Sequence, residues 1–324
     1  MRVVHADAIE LADANILKKI EKCGRICYKS EDKITDTSCF AFVEGLVKRQ
    51  HLAMLEHANI CLSVTEDIAR CVKSLGHGTY MNVTLNEEEN RYLVSGNIRA
   101  WILLFNPQFM SKLGDDTRQG LNALQKYLYL SLGEQTYDIL FTKPPAVRLV
   151  PEKRYYAMLT QEQIIDLPNL TKEEAYAHLY LTGLFTCDRG VTHELVRHRP
   201  ASFAQESTRY CNYANGKFSH EITCVKPVGL TIVQEVIWVQ AMENAERFYL
   251  ALIDAGCSAQ QARSALPTDV KANLVITANL AEWQHIFNLR YHGTTGTPHP
   301  KCKEVMSIWY NYVSNKEGYG EWIQ

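Results

Sequence analysis

The chain has 324 residues, 46% of them hydrophobic, and a formal net charge of −2 at pH 7. The length permits one large domain or two ordinary ones, and the near-neutral charge excludes a general attraction to nucleic acid or to an anionic membrane. Since no apolar run reaches the roughly 18 residues that a membrane helix needs, we expect neither nucleic acid nor a membrane as a partner.

The first half of the chain alternates between helix-like and strand-like patterns. Apolar residues spaced by three and four predict two helices, in ADANILKKIEKCGRICYKS and TSCFAFVEGLVKRQH. The alternating stretch HANICLSVTE predicts a strand, and YLVSGNIRAWILLF changes from strand-like to helix-like.

The second half continues with the same two kinds of element. LTGLFTC predicts a buried strand, and DRGVTHELVRHR predicts a helix that must stop before Pro200. A long amphipathic helix is expected over residues 233–256, where Gly256 is a suitable C-terminal residue.

One internal repeat is visible when YLVSGNIRAWILLF is aligned with LVITANLAEWQHIF. At an offset of 182 residues, Asn97 falls on Asn279 and Trp101 falls on Trp283. The match is a duplicated supersecondary unit or chance, and two copies are too few for a solenoid.

Several common cofactor and metal sites have no support in the sequence. There is no glycine-rich dinucleotide loop and no Walker lysine loop, which argues against a Rossmann or P-loop nucleotide site. His193 and His198 are five positions apart rather than four, and no C-x-x-C pair occurs, so no metal site is predicted. Ten scattered cysteines without a signal-peptide pattern predict reduced thiols and a cytoplasmic protein.

The stretch CDRGVTHELVRHRPASFAQESTRYCNY concentrates arginines among histidines and hydroxyls. On a helix, Glu194, Arg197 and His198 would share one face. If QESTR is extended, its alternate residues, among them Gln205 and Arg209, project to one side. Guanidinium groups bind phosphate oxygens in pairs, and Gln or Glu can read the edge of a planar base, so the segment is a candidate nucleotide site.

A solvated basic helix end is the alternative interpretation of this stretch. The charges are interleaved with Val196, Phe203 and Tyr210, unlike a freely solvated face. A second pair, Arg263 and Arg290, also lies in apolar surroundings, which favours a binding site.

The segment RHRPASFAQESTRY resembles the R-H-R-x-x-S-x-x-x-x-S-x-R-Y signature of the flavin-dependent thymidylate synthases. Four further stretches fit that family in the same order: CGRICYKSEDKI, HLAMLEHA, ARSALP and TANLAEWQHIFNLR. The resemblance covers about residues 10–64 and 180–305. We interpret the span 65–178, which does not match the short form of the family, as an insertion that carries the repeat unit within a single domain over residues 1–324.

The resemblance implies a fold, an activity and an assembly. The expected fold is α+β, a mixed β-sheet flanked by helices, without a Rossmann domain. The expected activity is the reductive methylation of dUMP to dTMP, with methylenetetrahydrofolate as carbon donor and tightly bound FAD, recharged by NADPH, as hydride donor. The family works as a homotetramer with active sites at subunit interfaces.

The resemblance also assigns residues to the two ligands. The positions implied for dUMP are Glu194, Arg197, Gln205, Ser207, Arg209, Arg263 and Arg290. The positions implied for FAD are His57, Asn59, Arg197, His198, Arg199, Gln205, Asn279 and His285. Arg290 is the candidate catalytic residue, because it matches an arginine that helps to polarise the uracil ring.

Some positions depart from the family pattern. Glu194 stands where many members have glutamine, Ala204 replaces the usual polar residue of the signature, and Ala281 stands where members often carry arginine. Two other functions remain open: methyl or hydroxymethyl transfer to another pyrimidine nucleotide on the same scaffold, and non-catalytic binding of a nucleotide or RNA. For Arg290, an ion pair with a core carboxylate is the alternative role.

Overall fold

The structure, a computed structural model, describes residues 1–76, 78, 80–141, 157–209, 212–214 and 220–324. The end of the arginine-rich signature, at residue 210, and part of the span 65–178 therefore lie outside the described residues. None of the helices in the described ranges is long and apolar enough to cross a membrane.

Two four-stranded antiparallel sheets and one parallel pair hold the described strands. The strands are β1 (Arg2–Val4), β2 (Asp7–Glu10), β3 (Asn59–Val64), β4 (Asn82–Asn86), β5 (Arg91–Asn97), β6 (Ala157–Leu159), β7 (Tyr180–Asp188), β8 (Ser202–Gln205), β9 (Thr223–Val225) and β10 (Lys271–Asn279). The first large sheet has the order β4-β5-β3-β6, the second has the order β2-β7-β10-β8, and β1 pairs with β9.

Helices surround both sheets. They are α1 (Ile16–Tyr28), α2 (Ser38–Lys48), α3 (Glu66–Ser74), α4 (Ile98–Leu104), α5 (Pro107–Met110), α6 (Asp115–Leu132), α7 (Glu134–Phe141), α8 (Gln161–Ile165), α9 (Lys172–His178), α10 (Arg189–Leu195), α11 (Ile232–Asp254), α12 (Ala259–Ala262), α13 (Leu280–Phe287) and α14 (Pro300–Ser314). This combination of antiparallel sheets and helices is an α+β fold, as predicted. The expected mixed sheet is not found among the described strands, because both large sheets are antiparallel and the parallel pair β1-β9 is separate from them.

Most elements expected from the sequence are confirmed. The two N-terminal helices form as α1 and α2, and the strand patterns form β3, β5 and β7. The side chain of Asn15 caps the start of α1 by accepting a hydrogen bond from the Lys18 amide. The long helix α11 begins after Thr231, which forms a capping box with Gln234, and Gly256 follows it with a φ of +91°.

Each four-stranded sheet has its own hydrophobic core. Around β3, β5, α2 and α4 the core includes Leu62 and Trp101, and around β7, β10, α13 and α14 it includes Phe185 and Trp283. Strand β3 pairs with β5 on one side and β6 on the other, and both partners lie within the span 65–178. This span therefore shares a sheet with the N-terminal part of the chain.

Candidate functional site

Helix α10 opens the arginine-rich segment and ends earlier than predicted. Asp188 caps its start by accepting a hydrogen bond from the Val191 amide at 2.8 Å, and its last residue is Leu195. Arg197 and His198 follow the helix, so the prediction that they share a helical face with Glu194 is wrong. The physical reason is a tight turn, in which the His198 amide donates to the Leu195 carbonyl and the Arg199 guanidinium donates to the His198 carbonyl.

Arg290 nevertheless brings Glu194 and His198 together. Its Nε donates to His198 Nε2 at 3.1 Å, one terminal nitrogen donates to Glu194 Oε2 at 2.7 Å, and the other donates to the Glu194 carbonyl at 3.2 Å. These bonds use three of the five N–H groups of a guanidinium. The Arg290 side chain is 23% exposed, so its other donors lie near solvent. An ion pair is thus present, but Glu194 is 30% exposed and is not the core carboxylate of the alternative role for Arg290.

His198 also faces a buried carboxylate that the sequence did not reveal. Its Nδ1 lies 3.7 Å from Glu282 Oε1, a buried atom for which the described residues offer no hydrogen-bond partner. Because His198 Nε2 accepts from Arg290, its proton resides on Nδ1, on the side of Glu282. Glu282 could have been noticed as the third residue after Asn279, whose side chain caps α13 by accepting from the Glu282 amide.

His198, Glu282 and His285 place potential metal-ligand atoms within 4.8 Å of one another. The His198 and His285 rings are in edge-to-face contact, with centroids 5.7 Å apart. A guanidinium bonded directly to His198 opposes a cation at this point, because like charges repel. We therefore interpret the group as a polar chain that runs from Glu282 through His198 and Arg290 to Glu194.

The extended part of QESTR is shorter than the sequence interpretation required. Strand β8 ends at Gln205, whose side-chain amide donates to Thr192 Oγ1 at 2.9 Å. The backbone amide of Ser207 donates to the Cys27 carbonyl instead of continuing the ladder. The intervening Glu206 is buried and pairs with Lys271 at 2.9 Å. Gln205, Ser207 and Arg209 consequently do not project together from one strand.

The remaining arginines assigned to the nucleotide lie at the surface. Arg209 donates from Nε to Gln260 Oε1 at 3.1 Å. Gln260 belongs to α12, and Arg263 is exposed in the 3-10 turn that follows this helix. Arg197 is also exposed. The structure therefore brings Arg209 near the segment that carries Arg263, while Glu194 and Arg290 form the separate chain described above.

His57 is fully buried behind the sheet rather than at a surface. Its Nδ1 shares a hydrogen bond of 2.8 Å with Thr277 Oγ1. Among the described residues its Nε2 has no side-chain partner, and the Phe203 backbone lies within reach of the ring. Burial, reinforced by the charge of Lys19, lowers the pKa of His57 to about 3. The imidazole is thus neutral at physiological pH and acts on the site through Thr277.

A cavity of about 670 Å³ contains three of the residues assigned to FAD: Asn59, Arg199 and Asn279. Its charged lining consists of Arg199, Arg99 and Glu56, which gives an excess of one positive charge. The Nδ2 atom of Asn59 is a buried donor that has no hydrogen-bond partner within the described ranges. A cavity of this size with few convergent polar groups suits a phosphorylated ligand with an aromatic part.

Residues 160–297 match the sequence model of the family described as thymidylate synthase complementing protein. The resemblance seen in the sequence is confirmed over this part of the chain. The matched segment contains all the residues assigned to the two ligands except His57 and Asn59.

Named relatives agree with this family over a similar length. The chain is 33% identical over 108 residues to the flavin-dependent thymidylate synthase of Geobacter sulfurreducens, which covers 33% of this chain and 46% of the relative. It is 37% identical over 106 residues to that of Pyrococcus abyssi, which covers 32% and 43%. The chain thus spans about half the length of the curated relatives that it matches.

Two solved structures were also compared with the whole chain. The UMP/dUMP methylase PolB from Streptomyces cacaoi bound with 5-Br dUMP has a TM-score of 0.42 and 13% sequence identity, over 99% of this chain and 96% of that one. Thymidylate synthase X from Helicobacter pylori with FAD and dUMP has a TM-score of 0.33 and 20% identity, over 47% and 76%.

Proposed function

We propose that the chain is a flavin-dependent thymidylate synthase that converts dUMP to dTMP. Methylenetetrahydrofolate donates the carbon, and FAD, recharged by NADPH, donates the hydride. We also propose that the protein is cytoplasmic and that it self-assembles. The resemblance predicts a homotetramer. The observation that carries the proposal is the family match over residues 160–297, which includes the signature from Arg197 to Arg209 and the Arg290 chain.

The cavity supports FAD as the bound cofactor. Its two arginines are matched to phosphate oxygens, and the buried Asn59 amide provides a donor that needs an acceptor. Asn59, Arg199 and Asn279 would hold the flavin from one side of the cavity. Binding by these residues does not require a Rossmann loop. Bound FAD would supply the hydride that reduces the transferred carbon to a methyl group.

The polar chain from Glu282 to Arg290 supports a role next to the pyrimidine. Two N–H donors of Arg290 are available beyond its bonds to Glu194 and His198. Directed at a uracil carbonyl, they would stabilise the negative charge that develops as the ring becomes nucleophilic. Glu194 and His198 would fix the guanidinium plane, so that Arg290 reaches the ring already oriented.

The absorbance spectrum of the purified protein, before and after dUMP is added, tests the proposal. A flavin spectrum that changes with dUMP, FAD released on denaturation, and dTMP formed with methylenetetrahydrofolate and NADPH are the expected results. A colourless protein that cannot be reconstituted with FAD would overturn it.

The same assay separates the two other functions. Parallel reactions with dUMP and dCMP identify an enzyme of this scaffold that prefers another pyrimidine nucleotide. A non-catalytic nucleotide or RNA-binding protein would bind its ligand without carrying flavin and without turnover.

A further inference from the structure

The two four-stranded sheets repeat one arrangement of elements. We call the 3-10 turn Leu52–His57 with β3, α3, β4, β5 and α4 the first unit, and α9 with β7, α10, β8, β10 and α13 the second unit. In each unit the three strands are antiparallel and the last one along the chain is central, in the orders β4-β5-β3 and β8-β10-β7. The two units therefore share topology as well as the sequence match around Trp101 and Trp283.

The strand registers agree residue by residue. Asn97 pairs with Asn59 in the first unit, and Asn279 pairs with Tyr180 in the second. Ser95 pairs with Asn82, and its counterpart Thr277 pairs with Ser202. Both Asn97 and Asn279 cap the helix that follows their strand. Chance similarity does not reproduce registers on two neighbouring strands, so the repeat is a duplication.

The contacts between the units are reciprocal. His57, at the end of the turn in the first unit, bonds to Thr277 of the second unit at 2.8 Å. Its counterpart His178, at the end of α9, bonds to Ser95 of the first unit at 2.7 Å. Such mutual exchange of equivalent contacts is the mark of a twofold axis, here within a single chain.

The edge strands are exchanged in the same way. Strand β2 precedes the first unit along the chain but pairs with β7 of the second. Strand β6 precedes the second unit but pairs with β3 of the first. The two units are thus interlocked. We call the two units of one chain the internal pair.

The cavity assigned to the ligand lies between the two units. Its lining includes three equivalent pairs, one residue from each unit: Asn59 with Tyr180, Asn82 with Ser202, and Asn97 with Asn279. A ligand in this cavity contacts both units. The first unit therefore contributes residues to the site and is not a separate addition to the segment that matches the family.

Charged and ionisable residues are distributed unequally between equivalent positions of the two units. Ala100 and Leu103 of the first unit occupy the positions of Glu282 and His285, so the polar chain exists only in the second unit. In the other direction, Arg99 occupies the position of Ala281. Arg99 lines the cavity, its side chain is 45% exposed, and it is held by Glu56 at 2.6 Å.

We propose that Arg99 of the first unit binds the phosphate-bearing part of the ligand in this cavity and supplies the cation that position 281 of the second unit lacks. Glu56 restrains the guanidinium from the cavity wall, and Ser202 donates to the other Glu56 oxygen at 3.3 Å. The two units would then form one asymmetric site, with Arg199 and Asn279 from the second unit and an anion anchor from the first. The identity of the ligand as FAD rests on the proposed function.

Binding measurements on the ligand-stripped full chain test this inference. FAD is titrated by flavin fluorescence and inorganic pyrophosphate by calorimetry. Arg99→Gln is expected to weaken both ligands by about 10- to 100-fold, the effect of losing one charge-assisted contact. Arg99→Lys, which keeps the charge without the fork, should fall between. Arg99→Gln combined with Ala281→Arg should regain affinity, because the cation returns from the equivalent position.

Arg70→Gln is the matched control, since Arg70 belongs to the same unit and its side chain is 49% exposed. Equal FAD binding by Arg99→Gln and wild type overturns the role of Arg99 and leaves the proposed function standing. If the wild-type chain does not bind FAD but binds pyrophosphate in a way that depends on Arg99, the role of Arg99 stands and the proposed function is overturned. A wild-type chain that binds neither probe overturns both. Thermal melts of each variant show whether a loss of affinity is a loss of fold.

Discussion

At the scale of single residues, the duplication shows which hydroxyl partner the Nε2 atom of His57 lacks. In the first sheet, Thr84 contacts the Nε2 atom of His178 at 2.9 Å. The equivalent position in the second sheet is Ala204, which has no hydroxyl, and no other side chain in the described part of the protein replaces it at the Nε2 atom of His57. The departure from the signature at Ala204 therefore has a structural counterpart.

Ala204→Thr should give the Nε2 atom of His57 a hydroxyl partner equivalent to Thr84 on His178. A net gain of about 0.5–1.5 kcal/mol in the free energy of unfolding is typical of one such hydrogen bond. Ala204→Val is the matched control, because valine has the same shape without the hydroxyl and shares any cost of overfilling the site around the buried Ala204. Urea unfolding of both variants measures the difference. A threonine variant no more stable than the valine variant would contradict the assignment.

The pH of this comparison matters because His57 is neutral in the folded chain. Its pKa of about 3 lies below the ordinary value of 6.5, so the unfolded chain takes up the proton first as the pH falls. The associated stability is complete above pH 6.5 and is lost between pH 6.5 and 3. The two variants should therefore be compared near pH 8.

Arg290→Ala should keep the fold and bound FAD but weaken dUMP binding or methylation by roughly 100-fold or more, the usual effect of removing a preorganised donor. Arg290→Lys should recover little, because a lysine cannot reproduce the planar fork that contacts both Glu194 and His198. Nucleotide titration and thermal melts are the measurements. An alanine variant that melts much lower yet binds dUMP like wild type would limit Arg290 to its ion pair with Glu194.

At the scale of elements, the sequence predicted most of what local patterns can determine. The apolar spacing of α1 and α2 and the alternation in β3 are local properties, and both kinds of element formed where expected. The ends of α10 and β8 were wrong because distant partners determine them. Leu195 ends its helix in a turn held by His198 and Arg199, and the buried pair of Glu206 with Lys271 accompanies the end of β8.

The candidate site divides in the same way. The signature around Arg197 and the match at Arg290 were visible because they lie in contiguous motifs. Glu282 and Arg99 were not found, since nothing local distinguishes them from surface charges. Arg99 was within reach of the repeat, because the alignment that pairs Asn97 with Asn279 also pairs Arg99 with Ala281. Its importance depends on two units facing one cavity, which is a tertiary property.

At the scale of the whole molecule, the internal pair changes the assembly that the proposed function requires. If each chain of the homotetramer implied by the resemblance supplies one unit, that assembly brings four units together. Two copies of this chain already contain four units. We therefore expect the protein to assemble as a dimer of chains if the duplication substitutes for half of the family's subunit contacts.

Helix α11 offers the surface for that contact. Along the chain, α11 belongs to the connection from β8 to β10 in the second unit. In the first unit a short turn joins β4 to β5. At the start of α11 a cluster of apolar side chains is exposed: Ile232 at 85%, Val233 at 70%, Val236 at 53% and Ile237 at 61%. Contiguous apolar side chains of this kind mark an interface, and a second copy of the same helix is the occupant that closed symmetry favours.

Ile237→Glu should separate the wild-type dimer into single chains, because two carboxylates would have to be buried against each other at a twofold contact. Leu130→Glu is the control, since Leu130 is an exposed leucine, at 47%, on α6. Light scattering at micromolar concentration gives the mass of each. A wild-type mass of four chains would restore the homotetramer, and a wild-type monomer or an Ile237→Glu dimer would exclude this face. Since the cavity lies between units of one chain, the dissociated variant should still bind FAD, which distinguishes an internal site from one that needs a partner.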